Sequence, residues 1–149
     1  MQKPPRFQVT DCLSFDEANP SQASDLATTW LARGQNFIVA YTNARDGALL
    51  ERPEQGDEYM LILPHASSAV TVSAGDETVD VNGHSLVIVP PGKSTVAVRR
   101  GGMIVRVFTS LARDLAALCV NRSSYVESDP SVPPYRSWPV PAEPGRIRH

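Results

Sequence analysis

Between Glu58 and Phe108 the chain alternates short apolar, β-branched runs with turn residues. Strands are predicted over 59–63, 69–73, 78–81, 85–89, 94–99 and 103–108, separated by Pro64-His65, Gly75-Asp76, Asn82-Gly83, Pro91-Gly92 and Gly101-Gly102. Val70/Val72, Val79/Val81 and Val96/Val98 alternate with small or polar neighbours, so each of these strands has one face for a core. Strands this closely spaced bury that face only by closing against one another, which predicts an antiparallel sandwich or barrel. A further strand is predicted over 37–42, closed by the turn-forming residues 43–47.

Two segments carry a helical pattern. Residues 21–31 predict a short helix capped by Ser21 or Ser24, with Leu26, Trp30 and Leu31 as its apolar contacts, although Thr28, Thr29 and Trp30 also suit a strand. Residues 111–118 place apolar side chains three and four apart behind Ser110 as N-cap, predicting a helix packed on the sheet. The organisation expected is a polar N-terminal arm over 1–20, one domain over 21–121 and a proline-rich extended tail over 122–149. Six of the 13 prolines fall between Pro130 and Pro144, around Tyr135 and Trp138. That density excludes a central strand or a regular helix, and the two aromatics favour docking over a free chain.

Composition narrows the function. A chain of 149 residues buries enough surface for one core without a metal or disulfide staple. The 14 basic and 16 acidic side chains nearly cancel, which removes nucleic acid and anionic membranes from the expected partners. No apolar run approaches the roughly 20 residues of a bilayer span. Cys12 and Cys119 lie far apart without a C-x-x-C pattern, and no secretory apolar run opens the chain, so a cytoplasmic protein with reduced thiols is expected. Neither a nucleophile elbow nor a phosphate-binding glycine pattern occurs, and Gly101-Gly102 reads as a hairpin turn.

The stretch from Asn82 to Thr95 resembles the second metal-binding motif of the cupin superfamily, G-x5-P-x-G-x2-H-x3-N. Pro90-Pro91-Gly92 supplies the turn and Gly83 the preceding glycine, one residue further upstream than the motif has it. The motif's histidine falls on Thr95 and its asparagine on Arg99. In the first cupin motif, G-x5-H-x-H-x3,4-E-x6-G, setting the glutamate on Glu58 puts the two histidines on Arg52 and Glu54 and the closing glycine on His65. The resemblance, from Arg52 to about Phe108, implies a mainly β fold: an antiparallel, cupin-like double-stranded β-helix or jelly-roll barrel, here with a short C-terminal helix and a proline-rich tail. Of the ligands it implies, Glu58 alone is present.

Imidazole nitrogen is what holds iron, copper, zinc or nickel in a site of three histidines and one carboxylate, and a guanidinium neither coordinates nor tolerates a divalent cation beside it. The expectation is therefore a centre without metal or other cofactor, with Arg52 paired to Glu54 or Glu58. That cluster either grips a small polar ligand or is an ion pair at the barrel mouth. Arg106, between Val105 and Val107, either faces the interior with Thr95 or lies on a solvated strand face. His65 and His84 are expected on surface turns. Ligand-binding candidates are thus Arg52, Glu54, Glu58, Thr95 and Arg106.

Two functional classes follow. The first is a binding or structural module with a small organic molecule as partner, homodimeric as the resemblance implies, or matching the first half of a two-barrel cupin. The second is a cupin enzyme, a dioxygenase, isomerase or lyase acting on a small organic acid, through a non-standard metal site or acid–base work by Glu54 and Glu58 with Arg52 orienting the substrate.

Overall fold

The computed structural model describes residues 11–136 and 145–149. The start of the expected N-terminal arm, Trp138 and the prolines at 139, 141 and 144 lie outside the described residues. Ten strands and one helix form among them: β1 (Gln22–Ala23), β2 (Ala27–Arg33), β3 (Phe37–Ala44), β4 (Leu49–Arg52), β5 (Tyr59–Leu63), β6 (Ala69–Ala74), β7 (Glu77–Asn82), β8 (Ser85–Val89), β9 (Ser94–Arg100), β10 (Gly102–Thr109) and α1 (Arg113–Leu118). The strands make two antiparallel sheets, ordered β1-β2-β3-β10-β5-β8 and β4-β9-β6-β7. No ladder joins one sheet to the other among these residues, so the jelly roll is two stacked sheets and not a closed ring.

One core lies between them. Period-two alternation sends Leu31, Ile38, Leu61, Leu63, Val87, Val89, Ile104 and Phe108 inward from the larger sheet, and Leu50, Val70, Val72, Val81, Val96 and Val98 inward from the smaller. Burying a side chain of this size is worth about 1.5–3 kcal/mol, so this double layer dominates the folding energy.

Three expectations change. Residues 21–31 hold β1 and most of β2 in place of a helix, because the β-branched and aromatic run pairs with β3, Thr29 against Thr42 and Trp30 against Tyr41. Ser24 is a turn residue there, its Oγ accepting from the Ala27 amide at 3.1 Å. The C-terminal helix is shorter than expected and Ser110 does not cap it; Ala112 holds the N-cap position without a side-chain bond. Leu115 and the thiol-bearing Cys119 nonetheless anchor this segment in the core. Finally, β4 is a strand that the residue pattern did not predict, paired to β9 from Leu49↔Ala97 to Arg52↔Ser94.

Two glycines hold tight crossings. A Cβ on Gly83 would sit 1.9 Å from the carbonyl oxygen of His65, so the β7–β8 turn fits against the β5–β6 loop only without a side chain. Gly92 adopts φ +106 and its amide donates to the Gln55 carbonyl at 2.8 Å, tying the Pro90-Pro91-Gly92 turn to the loop after β4. The described parts of the C-terminal region lie on the sheets: Gln35 and Asn36 side chains donate to the carbonyls of Val132 and Pro133, and Arg148 exchanges both backbone hydrogen bonds with Ile88 of β8, at 2.8 and 3.1 Å.

Candidate functional site

One end of the fold gathers the last residue of β4, the first residues of β5 and β9, and the second half of β10. Leu50 and Arg52 point inward while Leu49 and Glu51 are exposed, so alternation alone carries Arg52 into the core, where it is 5% exposed. Each of its three guanidinium nitrogens makes a hydrogen bond. Nη1 and Nη2 donate to the two carboxylate oxygens of Asp114 at 2.6 and 3.1 Å, and Nε donates to Gln55 at 3.0 Å. These hydrogen bonds from Arg52 hold the Asp114 carboxyl below the usual carboxylate range. Gln55 in turn donates to Asp57 at 3.0 Å, and the other oxygen of Asp57 accepts from Thr109 at 2.6 Å and from the Tyr135 hydroxyl at 3.3 Å.

The second guanidinium has no such partners. Arg106 lies on the inward register of β10 between Ile104 and Phe108, is 6% exposed, and makes no hydrogen bond or ion pair among the described residues; its Nε is buried and unbonded. Burial pushes its pKa down to about 10, which still leaves it charged at neutral pH. The Phe108 ring serves both arginines, its centroid 5.4 Å from Arg52 Cζ and 5.6 Å from Arg106 Cζ. That ring also stacks on Tyr59 at 4.8 Å, and the Tyr59 hydroxyl shares a 3.0 Å hydrogen bond with Ser94 Oγ. Burial pushes the Tyr59 phenol up, so it stays a neutral O–H. Two hydroxyls joined by one hydrogen bond retain one proton to donate elsewhere.

The charge inventory is uneven. Arg52 is matched by Asp114, and the Asp57 carboxylate of the same network is taken up by Gln55, Thr109 and Tyr135. Arg106 is therefore a buried cation with no hydrogen-bonded counter-charge among the described residues, with an O–H donor close by.

Several sequence expectations need correction. Thr95 does not face the interior: it lies on the outer surface of β9, opposite Glu51 and Ser73, because inward Val96 and Val98 fix Ser94 as the inward residue. Glu54 is exposed in the loop after β4. Glu58 is exposed just before β5 and pairs with Arg148 at 2.5 Å. The expected pairing of Arg52 with Glu54 or Glu58 is thus replaced by Arg52 with Asp114, a residue 62 positions further along that only the docking of α1 brings near. Arg52 and Arg106 come together around Phe108, whereas Glu54, Glu58 and Thr95 do not join them. His65 and His84 are both exposed on turns, His84 with φ 56.

A cupin-type metal does not fit this chemistry. The inward positions supply two guanidiniums, a phenol and a serine, and no group of three metal-binding side chains occurs among the described residues. A cavity of about 560 Å³ lies elsewhere, on the outside of β2 and β3 beside Cys12, Phe37 and Asn121.

Sequence reasoning missed Gln55, Asp57, Tyr59, Ser94, Phe108 and Asp114. Ser94 and Tyr59 had a usable signal, since extending the Val96/Val98 and Leu61/Leu63 registers backwards by two lands on them. Asp114 and Asp57 had none, because both come from segments outside the strand pattern.

Two stacked antiparallel sheets in this order, closed at one end by the proline–glycine turn, are the cupin fold, and solved structures agree. The chain is similar to an RmlC-like cupin from Shewanella frigidimarina (TM-score 0.58, 11% identity, covering 70% of this chain and 96% of that one). It is likewise similar to KdgF from Halomonas sp. (TM-score 0.56, 10% identity, 68% and 95% covered) and to a variant of oxalate decarboxylase from Bacillus subtilis (TM-score 0.54, 18% identity, 74% covered). The match spans 33% of the oxalate decarboxylase chain. No protein-family model and no curated protein matches the sequence. No helix among the described residues is long and apolar enough to cross a membrane.

Proposed function

We propose that this protein is a cupin-fold binding module that takes a small organic carboxylate at Arg106, in place of the metal-centred chemistry of the family's standard site. The observation that carries the reading is the uncompensated charge of Arg106, 6% exposed and unbonded among the described residues. An uncompensated buried charge costs several kcal/mol, and a bound anion removes that cost while adding a charge-assisted hydrogen bond. Tyr59 and Ser94 supply the remaining donor proton, and the Phe108 face supplies an apolar wall.

Acid–base catalysis by Glu54 and Glu58 is disfavoured, since both are exposed and neither contacts Arg52. A role as one barrel of a longer protein is compatible with binding: oxalate decarboxylase, of which the match covers a third, has room for more than one such unit.

The test is thermal unfolding with acetate, oxalate and, as a control, chloride at matched ionic strength. Saturable stabilisation by a carboxylate, absent in Arg106→Met, is expected. Equal shifts in both proteins, or none in either, would overturn the reading, as would stoichiometric transition metal in protein purified without added metal.

A further inference from the structure

The cavity of about 560 Å³ outside β2 and β3 has the size of a small-molecule site, and it lies on the other side of the sheet from the inward Arg106. Its floor is Ala32 and Val39, cross-strand partners whose small apolar side chains leave the room. Leu13 borders it from the segment before β1, and Val120 from the segment after α1. Phe37 closes one end: its ring rests on Gly34, where a Cβ would come within 2.4 Å of a ring carbon, and the residue is 50% exposed. Tyr125 lines the same space at φ 63, a conformation that is costly for a bulky residue and that concentrates at ligand clamps.

Both walls are tied down. Phe15 stacks on Tyr41 with ring centroids 4.1 Å apart, and Trp30 Nε1 donates to the Ala18 carbonyl at 2.9 Å, which pins the segment carrying Leu13 across the sheet. On the other side the Val120 amide donates to the Leu31 carbonyl at 2.8 Å, and the Asn121 side chain exchanges two 2.9 Å hydrogen bonds with the Arg33 backbone. Asp11 joins the walls, its Oδ2 accepting from Asn121 Nδ2 at 2.8 Å and from Ser124 Oγ at 2.9 Å. These bonds hold the Asp11 carboxyl below the usual carboxylate range, so it is ionised at neutral pH. Its Oδ1 accepts from nothing among the described residues, which leaves one acceptor unspent at the rim of a largely apolar cavity.

We propose that this cavity binds a small, uncharged aromatic molecule bearing one ring-borne N–H or O–H donor. The floor takes a flat apolar body, and Phe37 and Tyr125 offer it ring faces and edges. The donor goes to Asp11 Oδ1 in a charge-assisted hydrogen bond, stronger than one between neutral groups. Arg33 also borders the space, with its Nε bonded to the Gly34 carbonyl at 3.3 Å and no ion pair to Asp11. The lining thus holds one cation and one anion, and a ligand without net charge preserves that balance.

Indole is the probe, and 1-methylindole, which lacks only the donor, is its control. Neither carries a carboxylate, so the outcome is independent of anion binding at Arg106. Isothermal titration calorimetry of the full chain is expected to show saturable binding of indole with unit stoichiometry, and binding of 1-methylindole weaker by about tenfold, the worth of a hydrogen bond to a charged group. Ala32→Phe, which fills the floor, abolishes binding, with circular dichroism confirming that the variant folds. Cys12 gives a second measurement that needs no variant. It is exposed in the cavity wall whereas Cys119 is buried, so alkylation of the native protein by iodoacetamide, mapped by mass spectrometry, reports on Cys12, and saturating indole slows it several-fold. Absence of binding at millimolar indole overturns the proposal, and so does an unchanged Cys12 rate, equal affinity for 1-methylindole, or full binding by a folded Ala32→Phe.

Discussion

Arg52 and Asp114 meet through two hydrogen bonds, of 2.6 and 3.1 Å, that fasten the end of β4 to the first turn of α1. The helix is only six residues long and has no side-chain N-cap, so it depends on such tertiary ties more than on its own propensity. Asp114→Ala leaves Arg52, itself 5% exposed, without its counter-charge. Breaking a fully buried pair costs about 3–5 kcal/mol, but the Asp114 side chain is 63% exposed, and a loss of about 1–2 kcal/mol in urea denaturation is the expected value. Arg52→Lys does not substitute, because an ammonium cannot contact both carboxylate oxygens and Gln55 in that geometry.

The same pair sets an acid limit. Hydrogen bonds from Arg52 lower the native pKa of Asp114 below its ordinary value of 3.8. A depressed carboxyl pKa contributes stability that is fully present above the unfolded-state value and is lost as pH falls through the native one. The melting temperature of the native protein should therefore exceed that of Asp114→Asn at neutral pH, and the gap should close as pH falls below the ordinary value of 3.8 and through the lowered native one. A gap that persists undiminished in acid would rule out ionisation of Asp114 as its source.

Arg106 gives a prediction of opposite sign. Its pKa is pushed down to about 10 by burial, which means that the charged form is penalised in the folded protein at every pH below that value. Replacing the arginine with methionine, of similar reach and no charge, should raise the stability of the ligand-free protein by about 1–3 kcal/mol. Destabilisation would show that the contact with the Phe108 ring, 5.6 Å away, outweighs the cost of burial.

Gly83→Ala tests the crossing of two loops. The new methyl would lie 1.9 Å from the His65 carbonyl oxygen and 2.7 Å from the Ala66 Cα, both backbone atoms that cannot swing aside as a side chain would. A loss of about 1–3 kcal/mol in denaturant unfolding is expected. Gly56→Ala, where a Cβ meets nothing within 4 Å, is the matched control and should be close to neutral.

The strands were legible wherever a β-branched run ended in a glycine or proline turn: β5 and β8 coincide with the residues expected, and β6, β7, β9 and β10 differ only at their ends. Between Ser21 and Leu31 local propensity was ambiguous, and pairing with β3 decided it, which no local pattern reports. In β10 both faces are apolar, so alternation could not say which way Arg106 pointed; only the opposite registers at Ala40 and Leu61 do. Thr95 was misplaced for a different reason. Motif spacing was followed across a turn where one residue of slippage reverses the side chain, whereas the neighbouring valines carried the correct register. The partner of Arg52 was out of reach because Asp114 belongs to a helix whose docking depends on the finished sheet.

The pairing of Arg148 with Ile88 extends further than a local contact. Together with the Ile147 amide bound to Glu77 at 2.8 Å and Arg146 bound to the same carboxylate at 2.8 Å, it ties residues 146–148 to Ile88 at the edge of the larger sheet and to the first residue of β7 in the smaller. A strand left bare at a sheet margin is a template on which other extended chains can grow. By covering that template at Ile88 and burying Ile147 beside it, the chain shields part of its own sheet margin, so proteolytic clipping there would bare the edge and remove a core side chain in one cut.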